Sequence, residues 1–338
     1  MSSELDLFWA VVSEGGLLAA LVLSILASAL SHELRRRKLT ALPGVRARLA
    51  QALVEGDELG PDLRALPPDL QIELLEDLSR FLTGQPLQRL RDMARHRGLE
   101  ARAQSWCRSR SWLARLRGVR LLSSLGADSP LIDSLLRDPS DPVRAEAAQW
   151  AAVFPTPERV RRLLELLADR TVARFSVQDA LLKLGDGVAE TLSPMLKETH
   201  DTEWLISALE VASILADARY LSAGLRFCGH PDPALRARAA DLLGALGGQE
   251  GTDALLGLVQ DPESDVRARS AAALGRLEFW PAAPALGEAL RDPAWEVRRH
   301  AALALCKLGA PGRLALKRAT EGADRFACDM ARYVLELS

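Results

Sequence analysis

Three stretches of this chain align with one another without gaps at a period of 31 residues. They begin at His230, Asp261 and Asp292, and each contains an apolar residue followed by Arg, then small residues, then a Leu-rich end. A repeat of about 20–50 residues is the signature of an array in which each unit packs only on its neighbours. The repeat therefore predicts a solenoid rather than a pair of ordinary globular domains. The three copies read HPDPALRARAADLLGALG, DPESDVRARSAAALGRLE and DPAWEVRRHAALALCKLG.

Further copies extend the array towards the N-terminus. A clear copy, DPSDPVRAEAAQWAAVF, begins at Asp138, and weaker copies surround Arg115, Arg174 and Leu205. Second amphipathic segments, such as PERVRRLLELLA from Pro157, lie between the copies, so the predicted unit is a helical hairpin. Aromatic residues make up only 5% of the chain, and the alternating Val, Ile and Thr runs typical of β-strands are missing. We expect an all-α protein.

The repeated residues resemble the HEAT-repeat superfamily, in particular the short bacterial repeats named after the phycobilisome lyases. The resemblance implies an all-α, right-handed α-solenoid of about 7–9 helical hairpins, in which the helix with the Val-Arg pair lines the concave face. It also implies that the repeated Arg bonds acids at adjacent inter-repeat turns, a structural arrangement that we call the ladder. A ligand site at the same residues is the alternative interpretation. The ladder residues are Asp138, Arg144, Arg236, Asp261, Arg267, Asp292 and Arg298.

The resemblance is strong over residues 109–320 and weaker over residues 40–108, which have helical patterns but depart from the consensus. Terminal units of a solenoid are expected to be atypical. We therefore interpret residues 40–108 as degenerate N-terminal repeats, residues 109–320 as HEAT-like repeats and residues 321–338 as a C-terminal capping helix.

Residue types at the ends and contacts of the helices support this organisation. Asp141 and Asp232 each precede a proline, which predicts an N-cap acceptor followed by proline at the first helical position. Gly126, Gly185 and Gly247 follow Leu-rich helical segments, as expected of left-handed C-caps. Alanines recur where neighbouring hairpins must approach closely. They are Ala147, Ala148, Ala239, Ala240, Ala271, Ala301 and Ala302.

Residues 10–30 are predicted to form a transmembrane helix. They carry a single charge, that of Glu14, and in a helix they would extend over about 30 Å, enough to cross the hydrocarbon core of a bilayer. Residues 1–9 contain only acidic charges, whereas residues 31–39 are basic, which predicts a short extracytoplasmic N-terminus and a cytoplasmic solenoid. The basic residues are Arg35, Arg36, Arg37 and Lys38.

Two other interpretations of this segment stay open. Ala27, Ser28 and Ala29 superficially resemble a cleavage site, although a signal peptide carries positive charge before its apolar core. A buried helix of a soluble protein is the other alternative, because Glu14 and two glycines make the span only moderately apolar. The four cysteines form no CxxC pair, which favours a reducing compartment. We expect a single-pass protein of a bacterial inner membrane.

Side chains two and five positions after the ladder Arg are expected to project from successive concave helices, and we call this set, with its basic neighbours, the candidate face. Its middle is acidic and its C-terminal end is basic, which predicts a protein partner with complementary charges. A solvated helix face with ordinary charges is the alternative. The candidate face comprises Arg117, Arg120, Glu146, Gln149, Asp179, Glu210, Arg238, Asp241, Arg269, Arg276, Arg299, His300 and Lys307.

No catalytic residue, metal ligand or cofactor site is predicted. The single His-Glu pair, at His32, does not match the repeated iron-binding pairs of the HEAT-like deoxyhypusine hydroxylases. Trp150, Trp204 and Trp295 could imitate the aromatics of HEAT-like DNA glycosylases, but an acidic groove disfavours phosphate, and we interpret them as core residues. A net charge of −2 gives the whole chain no bias towards nucleic acid.

The sequence favours a membrane-tethered scaffold and not an enzyme. We expect it to bind a protein partner, part of a membrane or membrane-proximal complex, along the concave face of the solenoid. A bilin-lyase-like or other small-molecule enzyme that uses the groove is the first alternative. A nucleic-acid-binding HEAT-like protein is the second.

Overall fold

The computed structural model describes residues 44, 46–55, 68–168 and 173–337, which form α-helices joined by turns and short 3-10 segments, with no β-strand among them. The prediction of an all-α fold is confirmed for these ranges. In chain order the helices are α1 (46–55), α2 (Pro68–Ser79), α3 (Gly84–His96), α4 (Leu99–Cys107), α5 (Trp112–Leu125), α6 (Leu131–Leu135), α7 (Asp141–Val153), α8 (Pro157–Glu165), α9 (Ala173–Leu184), α10 (Ala189–Glu198), α11 (Thr202–Leu215), α12 (Leu221–Cys228), α13 (Pro233–Leu246), α14 (Gln249–Leu258), α15 (Ser264–Arg276), α16 (Ala283–Ala289), α17 (Trp295–Lys307), α18 (Ala310–Thr320) and α19 (Arg325–Leu337).

None of the helices in these ranges combines the length and the apolarity needed to span a membrane. The transmembrane helix predicted for residues 10–30, with its flanks at 1–9 and 31–39, lies outside the described residues.

The chain divides into two compact units. Of the described residues, the first unit takes those up to 110 and 120–127, and the second takes 111–119 and those from 128 to 337. Within the first unit, the apolar faces of α2, α3 and α4 are buried, with Leu75 and Leu90 among the most enclosed side chains. Arg89 of α3 donates from Nη1 to the carbonyl oxygen of Leu53 at 2.9 Å, which joins α3 to α1.

The second unit is built from two layers of helices. The first layer consists of α7, α9, α11, α13, α15 and α17, which contain the apolar-Arg pattern except that α11 has Leu205 at the Arg position, and each packs on the next. The second layer consists of the intervening helices, α6, α8, α10, α12, α14, α16 and α18. Helix α19 packs on α17 and α18 and buries Ala331 and Val334 against them. This is the arrangement of a HEAT-like solenoid.

Small residues let the first-layer helices approach closely. The alanines singled out from the sequence are all fully buried. A Cβ at Gly244 of α13 would lie 2.5 Å from the Cβ of Ala273 on α15, and a Cβ at Gly275 would lie 2.6 Å from the Cα of Ala304 on α17. Because neither backbone can move without shifting its helix, glycine is required at both contacts.

The helix ends agree with the sequence patterns except at two positions. Asp232 is the N-cap of α13, where its carboxylate accepts from the N–H of Ala234, and Gly126, Gly185 and Gly247 have positive φ angles of 59°, 56° and 70°. The predictions for Asp232, Gly126 and Gly185 are confirmed, whereas Gly247 has a ψ angle of −149°, outside the predicted left-handed helical region. The prediction for Asp141 is wrong, because α7 begins at Asp141 itself and this carboxylate pairs with Arg144.

Candidate functional site

The ladder consists of guanidinium-carboxylate pairs that join consecutive repeats. Arg236 on α13 donates from Nε and Nη2 to the two carboxylate oxygens of Asp261, at 2.7 and 2.8 Å. Arg267 on α15 makes the same bonds to Asp292, at 2.7 and 2.8 Å. Both acids lie 25 residues after their arginines, in the turn before the next first-layer helix. Each pair is two-pronged, the geometry in which a guanidinium binds a carboxylate most strongly.

Each ladder Arg also holds its own turn. Arg267 donates from Nη1 to the carbonyl oxygens of Asp261 and Pro262, at 2.8 and 2.9 Å. The carboxylate of Asp292 accepts in addition from the N–H of Ala294, at 2.8 Å. One guanidinium therefore fastens the turn behind it to the turn ahead of it, so the arginines and acids act within the framework.

The pairs shift the acid-base equilibria of their members. Burial by itself disfavours the charged form of Asp261, but hydrogen bonds from Arg236 and from the N–H of Glu263 outweigh it and lower the pKa of the carboxyl below its ordinary value. The same balance, with Arg267 as the donor, lowers the pKa of Asp292. Both acids are therefore held ionised.

The N-terminal part of the second unit contains a related rung with other spacing. Arg115 of α5 donates from Nε and Nη2 to Asp138, at 2.6 and 2.8 Å, over 23 residues. Arg144 donates from Nη1 to the carbonyl oxygen of Asp138 at 2.7 Å and pairs through Nη2 with Asp141. The weak sequence copy around Arg115 thus contributes a complete rung.

The ladder is interrupted in the middle. Leu205 occupies the Arg position on α11, and His230 occupies the acid position 25 residues later. The imidazole Nδ1 of His230 accepts from the N–H of Asp232 at 3.1 Å, which is the bond that the carboxylate makes in the neighbouring turns. His230 is therefore a turn-capping residue.

Arg298, the last ladder residue, keeps only half of these contacts. Its Nη1 donates to the carbonyl oxygens of Asp292 and Pro293, at 2.7 and 2.9 Å, as in the preceding rungs. Its Nε is buried and has no hydrogen-bond partner. Ala323 occupies the position 25 residues after Arg298, where the other rungs have an aspartate.

The candidate face is a network of ion pairs in its central part. Arg238 lies 3.7 Å from Glu210 of the preceding first-layer helix and 3.8 Å from Asp241 of its own helix. Asp241 also binds Arg269 of the following helix at 2.6 Å, and it lies 3.9 Å from Arg276. The structure therefore brings these five predicted residues together. The acidic middle is already largely neutralised by arginines of the same chain.

The C-terminal end of the candidate face is basic. Arg276 and Lys307 are exposed in the last turns of α15 and α17, and Arg299 lies with its guanidinium carbon 5.7 Å from the centre of the Trp295 ring. Burial, with the nearby charge of Arg299, lowers the pKa of His300. The imidazole is therefore biased towards its neutral form, and the arginines and Lys307 carry the positive charge.

The remaining residues of the candidate face are dispersed. Gln149 donates to the carbonyl oxygen of Ser176 at 2.8 Å, and Asp179 pairs with Lys183 at 2.7 Å, so both are used in contacts between α7 and α9 or within α9. Glu146 of α7 is half-buried. Arg117 and Arg120 are exposed on α5.

Sequence reasoning missed a buried arginine in the second layer. Arg159 of α8 is 6% exposed, pairs with Asp128 at 2.8 Å and Asp133 at 3.4 Å, and donates to the carbonyl oxygen of Phe154 at 2.7 Å. The helical pattern of PERVRRLLELLA places the arginine among apolar neighbours, but it does not identify the acids, which lie 26 to 31 residues earlier. This arginine is a structural element of the second layer.

Sequence reasoning also missed a cavity between α17 and α19, which we call the end cavity. It has a volume of about 380 Å³ and is lined by Trp295, Arg298, Arg299, Phe326, Asp329, Met330 and Tyr333. Trp150 and Trp204 are buried, as predicted, but the prediction of a core role for Trp295 is wrong, because this residue is 56% exposed at the cavity. It takes the first position of α17, where the side chain can lie beyond the packed core.

Within the ranges that the structure describes, no group of three or more His, Cys, Asp or Glu side chains is placed to hold a metal ion. Burial raises the pKa of Cys228 to about 11, so its thiol is protonated at neutral pH.

Known proteins similar to this chain contain HEAT repeats. A family model described as HEAT repeats matches residues 204–275, 220–306 and 252–325, which correspond to the well-formed rungs and the helices around them. A search of curated proteins gave no match. Residues 204–325 therefore match HEAT repeats, and the helices of the second unit form a HEAT-like α-solenoid.

Solved structures agree with this class. The crystal structure of Kap121p matches with a TM-score of 0.54 at 15% identity over 86% of this chain and 37% of that chain, and the crystal structure of Kap121p bound to Nup53p gives the same values. This chain thus spans little more than a third of the length of Kap121p, and the likeness concerns the fold alone. A structure of human deoxyhypusine hydroxylase covers 73% of this chain with 21% identity, but its TM-score of 0.32 carries no argument.

Proposed function

We propose that this chain is a protein-interaction scaffold that binds a partner along the candidate face, and that its N-terminal segment holds it at a membrane. The observation that carries the first part is the row of charged side chains on consecutive first-layer helices, connected from Glu210 through Arg238 and Asp241 to Arg269. Solenoids present such extended surfaces to other proteins without catalytic machinery. The Kap121p structure with Nup53p is a likeness in fold that is compatible with this use.

The charge distribution points to the C-terminal end of the face as the main contact. Asp241 in the middle already has three arginines within 3.9 Å, one of them the exposed Arg276, and Arg299 and Lys307 add further exposed positive charge. We therefore expect the partner to present acidic residues to this end. Electrostatic complementarity of this kind determines partner choice and association rate more than affinity.

The test is a pull-down of crosslinked partners with the double variant Arg276→Glu and Lys307→Glu. Both side chains are exposed on the first layer, so the variant changes the face without opening the core. The matched control is Lys317→Glu with Arg318→Glu on α18, which makes the same change of charge on the second layer. We expect the partners to be lost with the first variant only. Equal recovery from both variants would contradict the proposal.

The membrane part of the proposal is supported by the apolar residues 10–30 and by the charge asymmetry of their flanks. Tethering confines the search for a membrane-proximal partner and raises its effective concentration. We propose a single pass through a bacterial inner membrane, with the N-terminus outside and the solenoid in the cytoplasm. Carbonate extraction of the full chain and of a variant that begins at residue 39 tests this. The full chain should stay with the membrane and the truncated chain should be released. Release of both would contradict the tether.

A further inference from the structure

Arg298 is a buried cation whose carboxylate partner is missing. Only 8% of the residue is exposed, and its Nε has no hydrogen-bond partner. In the preceding rung, the corresponding Nε and Nη2 of Arg267 hold Asp292. An unsatisfied polar atom in a buried site is costly and usually indicates a partner that is supplied from elsewhere.

The capping helix does not supply this partner. Asp324 caps α19, where its carboxylate accepts from the N–H of Ala327 at 2.9 Å. Asp329 lines the end cavity, but its carboxylate pairs with Arg325, at 3.7 Å, on the exposed side of α19. Within the described part of the chain, Arg298 forms no ion pair with a carboxylate.

In the end cavity, aromatic side chains surround the guanidinium of Arg298. The guanidinium carbon of Arg298 lies 4.9 Å from the centre of the Phe326 ring, and the exposed rings of Trp295 and Tyr333 complete the walls. Phe326 is 66% exposed, and because Nε is itself buried, a ligand reaches Nε only if this ring moves. The volume of about 380 Å³ lies within the range of about 300–1,000 Å³ that is typical of ligand sites.

We propose that the end cavity binds a peptide segment of a protein partner in which an aspartate or glutamate stands next to an aromatic residue. The carboxylate takes the place of the missing ladder acid, accepting two hydrogen bonds from Nε and Nη2 of Arg298. The aromatic neighbour packs against Trp295 and Tyr333. Arg299, at the rim, adds a second positive charge that favours an acidic ligand.

This inference rests on the proposed function for the source of the peptide, but its test does not. The purified chain can bind a defined peptide even if the variants at Arg276 and Lys307 have no effect in the pull-down. Conversely, the chain can fail to bind the peptide even if those variants lose the partner. The two proposals are therefore separable.

The experiment is isothermal titration calorimetry of the full chain in detergent with the peptide acetyl-Asp-Phe-amide and with acetyl-Asn-Phe-amide. A charged hydrogen-bond pair of this kind predicts at least about tenfold weaker binding of the Asn peptide. Arg298→Met should weaken the Asp peptide by a similar factor. Tyr333→Ala, an exposed wall residue, should weaken it by a few-fold.

The matched control is Arg332→Gln, an exposed arginine of α19 that does not line the cavity. It removes one positive charge near the site, and binding should stay within about twofold of the native chain because an exposed charge is screened. Circular dichroism checks that the Arg298→Met variant is folded. If this variant does not fold, the difference in affinity between the Asp and Asn peptides on the native chain tests the proposal by itself. Equal binding of the two peptides, or no binding of the Asp peptide, would overturn the proposal.

Discussion

Arg267 and Arg298 occupy the same position on α15 and α17, 31 residues apart, and they make the same two bonds to the turn behind them. Arg267 finds Asp292 ahead of it, whereas Arg298 finds Ala323 at the same spacing. In these rungs, therefore, each repeat supplies the acid that pairs with the Arg of the repeat before it. The end of an array therefore leaves a cation without a partner unless a cap or a ligand provides one.

The capping helix α19 closes one part of this end and leaves the other open. It buries Ala327, Ala331 and Val334 against the last repeat, which removes apolar surface from water. It supplies no carboxylate to Arg298, and its exposed face contributes Phe326 and Tyr333 to the end cavity. Covering the apolar surface of the last repeat and supplying a carboxylate to its arginine are thus separate requirements at the end of a solenoid.

The largest difference should come from removing the two arginines in turn. Arg267→Met leaves the enclosed carboxylate of Asp292 without its main donor, and breaking such a pair costs about 3 kcal/mol. Arg298→Met removes two bonds to the turn behind it but leaves no buried carboxylate unpaired, so the cost should be smaller, about 1.5 kcal/mol. Denaturant unfolding followed by circular dichroism measures both. Equal losses of unfolding free energy in the two variants would contradict the claim that only Arg267 has a carboxylate partner.

The acid side of the paired rung should depend on pH. Asp292→Asn should lose about 2 kcal/mol at neutral pH, because a charge-assisted pair becomes a neutral contact. Since the pKa of Asp292 is lower in the folded chain, its ionisation stabilises the fold above the ordinary aspartate value of 3.8, and this contribution is lost as the pH falls through the folded pKa. The difference between native and variant chains should therefore shrink under acid conditions. A constant difference from pH 7 to pH 3 would argue against the paired rung.

A carboxylate introduced at position 323 should pair with Arg298 and so complete the last rung. Ala323→Asp places a carboxylate 25 residues after Arg298, the spacing of the two preceding rungs. We expect the free energy of unfolding to rise by about 1 kcal/mol, the net contribution of a typical intramolecular hydrogen bond, and binding of the Asp peptide to be lost. Thermal unfolding and calorimetry measure the two effects. A variant that is no more stable and still binds the peptide would contradict the assignment of the vacant acid position.

The smallest effect concerns His300, which lies among cations near the unpaired end. Its pKa is lowered by burial and by the charge of Arg299, with smaller contributions from Arg269 and Arg276. Because the folded pKa is depressed, the stability that goes with the neutral imidazole is present above the ordinary value of 6.5 and is lost as the pH falls through the folded pKa. A titration of the imidazole by nuclear magnetic resonance should give a midpoint below 6.5, and Arg299→Gln should raise it. A midpoint that Arg299→Gln leaves unchanged would exclude that arginine as a cause.

The regular part of the fold was predictable because the same residue types recur at the same positions of each repeat. The 31-residue period, the buried alanines and the left-handed glycines indicate the first-layer helices and their ends without reference to distant contacts. Arg159 and the acids that bind it were not predictable, because they occur once and meet only through the packing of α8.

The candidate site was predictable only in part. The charges of Glu210, Arg238, Asp241 and Arg269 could be placed on one face, but their mutual neutralisation depends on side-chain directions between helices. The vacant acid position reflects the alanine at 323, and the end cavity is lined partly by aromatic residues of α19, which belong to no repeat. Patterns that identify a repeat are least informative where the repeat stops.

The most direct test of the vacant rung compares the Nε–H groups of Arg267 and Arg298 by nuclear magnetic resonance during addition of acetyl-Asp-Phe-amide. The Nε–H of Arg267 is already bonded to Asp292 at 2.7 Å, and its signal should not move. The Nε–H of Arg298 has no partner, and its signal should shift and saturate with the peptide. A silent Arg298 signal, or equal shifts at both arginines, would contradict the account.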